Sequence, residues 1–151
     1  IPQVYYGTEI LTNDTANPGD HGLIRTDFPG GWEGDEVNVF TETGLTSTQK
    51  EFKTFISQML NYRKNSKAIH DGSTIHFAPF DGIYVLFRRH DDETVMLVLN
   101  KNETSKSIDL SRFKELDLNG KEFTNLHTDN SFIWKNELQL NHGISIFTTK
   151  K

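Results

Sequence analysis

Hydrophobic and polar residues change their rhythm along the chain. From residue 72 onward apolar and polar positions alternate in the runs STIHFAPF, GIYVLFRRH, ETVMLVLNK, SKSIDL, KEFTNLHT, ELQL and GISIFTTK. Turn signals separate them: Asp81-Gly82, HDDE at 90–93, Asn119-Gly120 and NHG at 141–143. A period of two puts successive side chains on opposite sheet faces, and short runs broken in this way predict an antiparallel sandwich. Residues 46–67 behave differently. Phe52, Phe55, Ile56, Met59 and Leu60 recur at three- and four-residue intervals, the stripe of an amphipathic helix. Thr46 with Gln49 three residues later is a capping box. Glu51 near the start and Arg63, Lys64 and Lys67 near the end suit the helix dipole.

Residues 1–45 follow neither rhythm. A short apolar strand is expected at Ile1–Tyr6, then a long irregular loop through NDTANPGDHG and FPGGWEGDE, where nearly every residue is a turn former. Loops of this length in compact domains are usually functional or disordered. One strand, one loop and one helix cannot bury the helix stripe by themselves. The pattern therefore reads as a single βα unit of a larger parallel sheet or barrel, joined near Ala68–Gly72 to an all-β domain. IPQVYYGTEI shows no initiator methionine and no secretory leader pattern, and it reads as a cut edge.

Composition narrows the chemistry. A net charge of −5 argues against a nucleic-acid partner, which would need a concentrated excess of Lys and Arg, and favours a neutral polar ligand. The absence of cysteine removes disulfides, zinc-thiolate sites and cysteine nucleophiles. No apolar run approaches the roughly 20 residues needed to span a bilayer.

The residues also resemble a known family. IPQVYYGTE closely resembles the IPxIYYGxE motif of the alpha-amylase family, which there forms the eighth barrel strand and the turn after it. RTDFPGGW is similar to the Arg-containing loop that follows, and MLNYRKNSKAIHDGSTIHF resembles the last barrel helix and its exit. ELQLNHGISIF is similar to the closing strands of the β-sandwich called domain C. The RTDFPGGW form looks most like the bacterial neopullulanase and cyclomaltodextrinase branch. The resemblance implies an α+β fragment. Residues 1–70 would be the last βα unit of a (β/α)8 TIM barrel (strand 8, loop, last helix), and residues 71–151 an antiparallel domain C sandwich.

The implied parent is a retaining α-glycosidase acting on maltooligosaccharides, starch, pullulan or cyclodextrins. Such chemistry needs two carboxyl groups about 5 Å apart. In the family these acids lie on earlier barrel strands, so no residue here is assigned a catalytic role and the segment alone is expected to be inactive. Its expected partners are the α-glucan and the missing N-terminal part of the barrel. Homodimerisation and a periplasmic location follow from the same family analogy.

For substrate binding the resemblance singles out Asp20 and Arg25, which in the family pair and hydrogen-bond a sugar ring; a surface ion pair is the plainer reading. Trp32 offers a face on which a sugar could stack, against plain packing under the loop. Glu9 resembles the family's turn glutamate, with a structural role. At least one of Tyr5 and Tyr6 is expected in a core, because a strand turns them to opposite faces. Trp134 reads as core or as a lone exposed ring. Asn13, Asp14, Asn17 and Asp20 are oxygen ligands of the kind calcium prefers, although turn formation accounts for the same residues. His21, His70, His76, His90, His127 and His142 show no metal-ligand spacing. The alternative function is a noncatalytic carbohydrate-binding or structural sandwich. A binding sandwich would need an exposed aromatic row drawn from Phe77, Phe80, Tyr84, Phe87, Phe113, Phe123 and Phe132.

Overall fold

The computed structural model describes residues 3–13, 19–22 and 25–149. The chain divides into two compact units, Ile1–Gln58 and Met59–Lys151, with the division inside helix α1 (Ser47–Asn65).

The first unit is built from turns. The described part of the expected strand, residues 3–6, forms no ladder. A strand needs a neighbour for its N–H and C=O groups, and no described segment pairs with it. Gly7 turns the chain instead, at φ 84°, into a 3-10 helix at Thr8–Ile10. Ile10, Val39 and Leu45 form a small core, with Phe28 and Val37 against it. Two side chains of α1 tie this core down. Gln49 Nε2 donates to the Ile10 carbonyl at 3.0 Å, and Lys53 Nζ donates to the Val39 carbonyl at 2.8 Å and to Glu42 at 2.9 Å.

The capping box forms as expected: Gln49 N donates to Thr46 Oγ1 at 3.3 Å and Thr46 N to Gln49 Oε1 at 3.0 Å. The expected buried stripe does not. None of the 19 residues of α1 is buried. Phe52, Phe55, Ile56 and Met59 are half-buried and Leu60 is exposed, because a core of three buried residues cannot cover a five-residue stripe.

The second unit contains eight strands among the described residues: β1 (Ser73–Phe80), β2 (Ile83–His90), β3 (Glu93–Asn100), β4 (Lys106–Asp109), β5 (Glu122–Asn125), β6 (Ser131–Ile133), β7 (Glu137–Leu140) and β8 (Gly143–Thr148). They make a six-stranded sheet in the order β1-β2-β3-β8-β5-β6 and a two-stranded sheet β4-β7, antiparallel throughout. Asp81 and Gly82 both take positive φ, 48° and 75°, the requirement of the tight hairpin turn between β1 and β2. The seven expected runs all contain strands. β6 and a 3-10 helix at Leu110–Leu116 are additions.

Between the sheets lies an aromatic core. Ile83, Val85 and Phe87 of β2 face inward with Met96 and Val98 of β3, and the 3-10 helix inserts Leu110, Phe113 and Leu116 against them. Phe113 meets Phe77 edge-on at 4.7 Å and Phe87 at 5.5 Å, and Trp134 lies 6.0 Å from it. Trp134 is therefore a core residue, 3% exposed. Buried Asn100 links the two sheets by donating to the Leu140 carbonyl of β7 at 3.3 Å.

A polar junction fastens the helical segment to the outer face of the large sheet. Ser66 leaves the helical conformation at φ −95°, ψ 111° and caps the short helix α2 (Lys67–His70), its Oγ accepting from Ile69 N. The same hydroxyl donates to Glu93 Oε1 at 2.7 Å. Tyr62 also donates to that oxygen, at 2.8 Å, while Ala68 N donates to Oε2 at 3.1 Å. Glu93 is only 8% exposed. A buried carboxylate is costly unless hydrogen-bonded, and these donors offset the cost. From β2, Arg88 donates to the Ala68 carbonyl at 3.0 Å and the Ile69 carbonyl at 2.9 Å. Gly72 closes the junction, since a Cβ there would lie 2.2 Å from the Ala68 carbonyl oxygen.

Two outcomes test this packing. Phe113→Ala is expected to lower unfolding free energy by about 3–5 kcal/mol, read from urea denaturation followed by Trp134 fluorescence. Glu93→Ala strands three donors and is expected to cost about 3 kcal/mol, measured in the same way.

Candidate functional site

Asp20, Arg25 and Trp32 all fall in the first unit, on the loop between the 3-10 helix at Thr8–Ile10 and α1. Asp20 and Arg25 both bond to Gly22, the first through its side chain and the second through its backbone N–H: Asp20 Oδ1 accepts from Gly22 N at 3.0 Å, and Arg25 N donates to the Gly22 carbonyl at 3.3 Å. The Arg25 guanidinium donates to the His21 carbonyl at 2.9 Å. Both side chains are exposed, so their charges stand at the surface.

Trp32 is held separately. Asp35 Oδ2 accepts from Trp32 N at 3.1 Å and from Gly30 N at 2.7 Å, closing a tight acidic turn. Gly30 has φ 98°, and a Cβ there would lie 2.7 Å from Asn38 Oδ1, so the turn needs glycine. Trp32 is 68% exposed. Its indole is not packed under the loop.

Tyr5 and Tyr6 correct an expectation. Both are exposed, at 57% and 44%, and their rings stand 4.6 Å apart. Neither enters a core, because residues 3–6 form no strand and no described layer lies over them. Tyr6 OH donates to the Thr26 carbonyl at 2.9 Å, tying residue 6 to the segment that follows Arg25. The hydrogen bond with Tyr5 pushes the Tyr6 phenol above its ordinary value.

For calcium, Asp14 and Asn17 lie outside the described residues, while Asn13 and Asp20 lie within them. Among the described residues no group of three or more His, Cys, Asp or Glu could hold a metal ion, and no helix is long and apolar enough to cross a membrane.

Sequence reasoning passed over Tyr62, Ser66 and Glu93. The nearest signal was the HDDE turn, where Glu93 reads as one more turn acid. Beside Tyr62 a hollow of about 530 Å³ opens among Asn65, Thr124, Leu126, Asp129, Ser131 and Thr148. Burial pushes the Tyr62 phenol up to about 12, despite a short hydrogen bond with Thr148 at 2.7 Å, and the Glu93 carboxylate pushes it further in the same direction. It stays protonated and donates to Glu93.

Chemically, the first unit's loop presents a guanidinium, a carboxylate and an indole face to solvent. Those are the groups that bind a neutral polyhydroxylated ring: donors and an acceptor for its hydroxyls and an apolar plane for its C–H face.

Comparison with known proteins agrees with the fold. Residues 74–146 match the family model described as the cyclo-malto-dextrinase C-terminal domain. AmyP, solved as its E221Q variant with maltotriose, superimposes with a TM-score of 0.70 at 13% identity, over 97% of this chain and 31% of AmyP. An alpha-amylase from Geobacillus thermoleovorans, solved with acarbose, gives 0.62 at 19% identity over 95% of this chain and 28% of its own. An Anoxybacillus alpha-amylase gives 0.61 at 19% identity over the same shares. The chain spans less than a third of the length of these proteins, 28–31%. Its mostly antiparallel sheet with few helices matches an amylase C-terminal β-sandwich.

The Tyr62 environment makes a pH prediction. The folded value of about 12 lies above the ordinary 10.0. Unfolding therefore releases a proton between those values, and the stabilising effect, complete below pH 10, is lost as pH rises toward 12. Tyr62→Phe is expected to flatten this loss in thermal melts taken across that window.

Proposed function

Taking residues 74–146 as a member of the cyclo-malto-dextrinase C-terminal domain family, we propose that the chain works as the C-terminal part of a retaining α-glycosidase acting on α-glucans. The family match carries this reading, and the likeness in fold over 97% of the chain to AmyP supports it. Residues 1–70 serve as the last βα unit of a (β/α)8 barrel, and residues 71–151 are domain C. The half-buried stripe of α1 and the exposed Tyr5 and Tyr6 are surfaces that the remainder of such a barrel would cover.

In this role Arg25 and Asp20 hydrogen-bond the hydroxyls of a bound glucosyl unit and Trp32 stacks on its C–H face. Maltooligosaccharides, starch, pullulan and cyclodextrins are the substrates of this branch, and AmyP was solved with maltotriose and with maltose. The catalytic acids come from the rest of the barrel, so the 151-residue chain alone is inactive. A periplasmic location and homodimerisation belong to the same reading.

The test is hydrolysis of maltoheptaose by the native protein that carries this chain, with NMR of the first-formed product anomer. Release of the α-anomer is expected, and no release of sugar from any α-glucan would refute the reading. In that protein Arg25→Ala is expected to lower kcat/KM about tenfold, the equivalent of about 1.4 kcal/mol of transition-state binding. Its melting temperature should not change, since Arg25 is exposed.

A further inference from the structure

Of the seven aromatic residues that a binding face of the sandwich could have used, Phe77, Phe87, Phe113, Phe123 and Phe132 pack in or against the core. Phe80 does not; it is 70% exposed. A bulge sets the side on which it stands. Pairing of β1 with β2 runs regularly from Ser73↔Arg89 to Phe77↔Val85 and then slips, so that Phe80 rather than Pro79 stands opposite Ile83. Bulges on edge strands re-aim side chains, and a proline with no N–H is tolerated there. This one holds a large ring at the mouth of the sandwich, in water.

The ring is framed by groups that are themselves fixed. The Arg112 guanidinium lies 5.4 Å from the Phe80 centroid and 5.9 Å from that of Phe113, and it donates to the Ala78 carbonyl. On this side a cavity of about 240 Å³ has Ile83, Val85 and Phe113 as apolar lining and Asp81, Asp109 and Arg112 as polar groups. That is below the roughly 300–1,000 Å³ usual for drug-sized ligands, so it suits one ring-sized unit. A shallower hollow of about 520 Å³ shares Phe80 with Tyr84, Leu99 and Lys101. Two hollows divided by one exposed ring suit a chain of rings better than a single compact molecule.

The charges are balanced. Asp81 is paired with Lys106 at 3.0 Å. Asp109 accepts from Ser111 N at 2.8 Å, and hydrogen bonds from Ser111 hold its carboxyl below the ordinary value. Arg112 provides a countercharge nearby. A neutral ligand with apolar faces and hydroxyl edges fits this surface better than an ion of either sign.

We infer that Phe80 and Arg112 form a platform for an oligosaccharide of pyranose rings, a binding site on the sandwich separate from the Asp20–Arg25 loop. Phe80 supplies the stacking plane, and Asp81, Asp109 and Arg112 bond the hydroxyls. The choice of an α-glucan over other saccharides rests on the function proposed above; the platform itself does not.

Affinity electrophoresis of the native protein in gels containing amylopectin tests the platform, with maltotriose hydrolysis measured in parallel. The wild type is expected to be retarded. Phe80→Ala and Arg112→Gln should each weaken amylopectin binding by about fivefold or more. Phe80→Tyr should keep the binding, and all three should hydrolyse maltotriose at the wild-type rate. Because Phe80 is exposed, its replacement leaves the core intact. Retardation of Phe80→Ala equal to the wild type would overturn the platform, as would a wild type that is not retarded. If maltotriose is still hydrolysed in either case, only the platform falls. If the wild type neither hydrolyses nor binds, the proposed enzyme falls with it.

Discussion

The second unit is organised around one buried carboxylate. Glu93 starts β3 and accepts from Tyr62, Ser66 and the Ala68 amide, so three groups of the helical segment converge on one side chain of the sheet. A carboxylate accepts only, and each of its partners is a donor. Ser66 does two things at once, since its hydroxyl caps α2 and donates to Glu93. This is why α1 ends at Asn65 and does not run on into Lys67. Arg88 completes the join by taking up the carbonyls of Ala68 and Ile69. Gly72 is required because the chain passes too close to the Ala68 carbonyl for any Cβ.

Much of the sandwich was legible in the sequence because alternation and turn chemistry agree. Ile83, Val85 and Phe87 are spaced by two and all face inward, and Asp81-Gly82 supplies the turn before them. The helix was legible from Thr46 and Gln49 for the same reason: a cap is a local interaction and leaves a local pattern. Three-residue β6 and the 3-10 helix at Leu110–Leu116 were not, since neither is long enough to show a period.

The failures in the first unit share a cause. Ile1–Tyr6 has strand chemistry, and α1 has a core-seeking stripe, but both patterns describe burial that must be provided by neighbours. In this chain the neighbours amount to Ile10, Val39 and Leu45, so residues 3–6 remain unpaired in any ladder, Tyr5 and Tyr6 stay exposed, and the stripe is half-buried. Asp20, Arg25 and Trp32 were visible as residue types suited to a sugar. How the loop holds them was not, because the Asp20–Gly22 and Asp35–Gly30 turns depend on side-chain bonds that have no periodic signature. Glu93 was hidden among turn acids, since its role comes from residues 25 to 31 positions earlier in the chain.

These features meet in one view: a sandwich joined by hydrogen bonds around Glu93 to the segment that ends α1, preceded in sequence by a loop that displays a guanidinium, a carboxylate and an indole. The most direct measurement is a crystal structure of the native protein soaked with maltotriose. The expected result is a glucosyl ring within hydrogen-bond distance of Arg25, with residues 3–6 paired as a barrel strand. A maltotriose bound only at other residues, or residues 3–6 unpaired in the complete protein, would contradict the account.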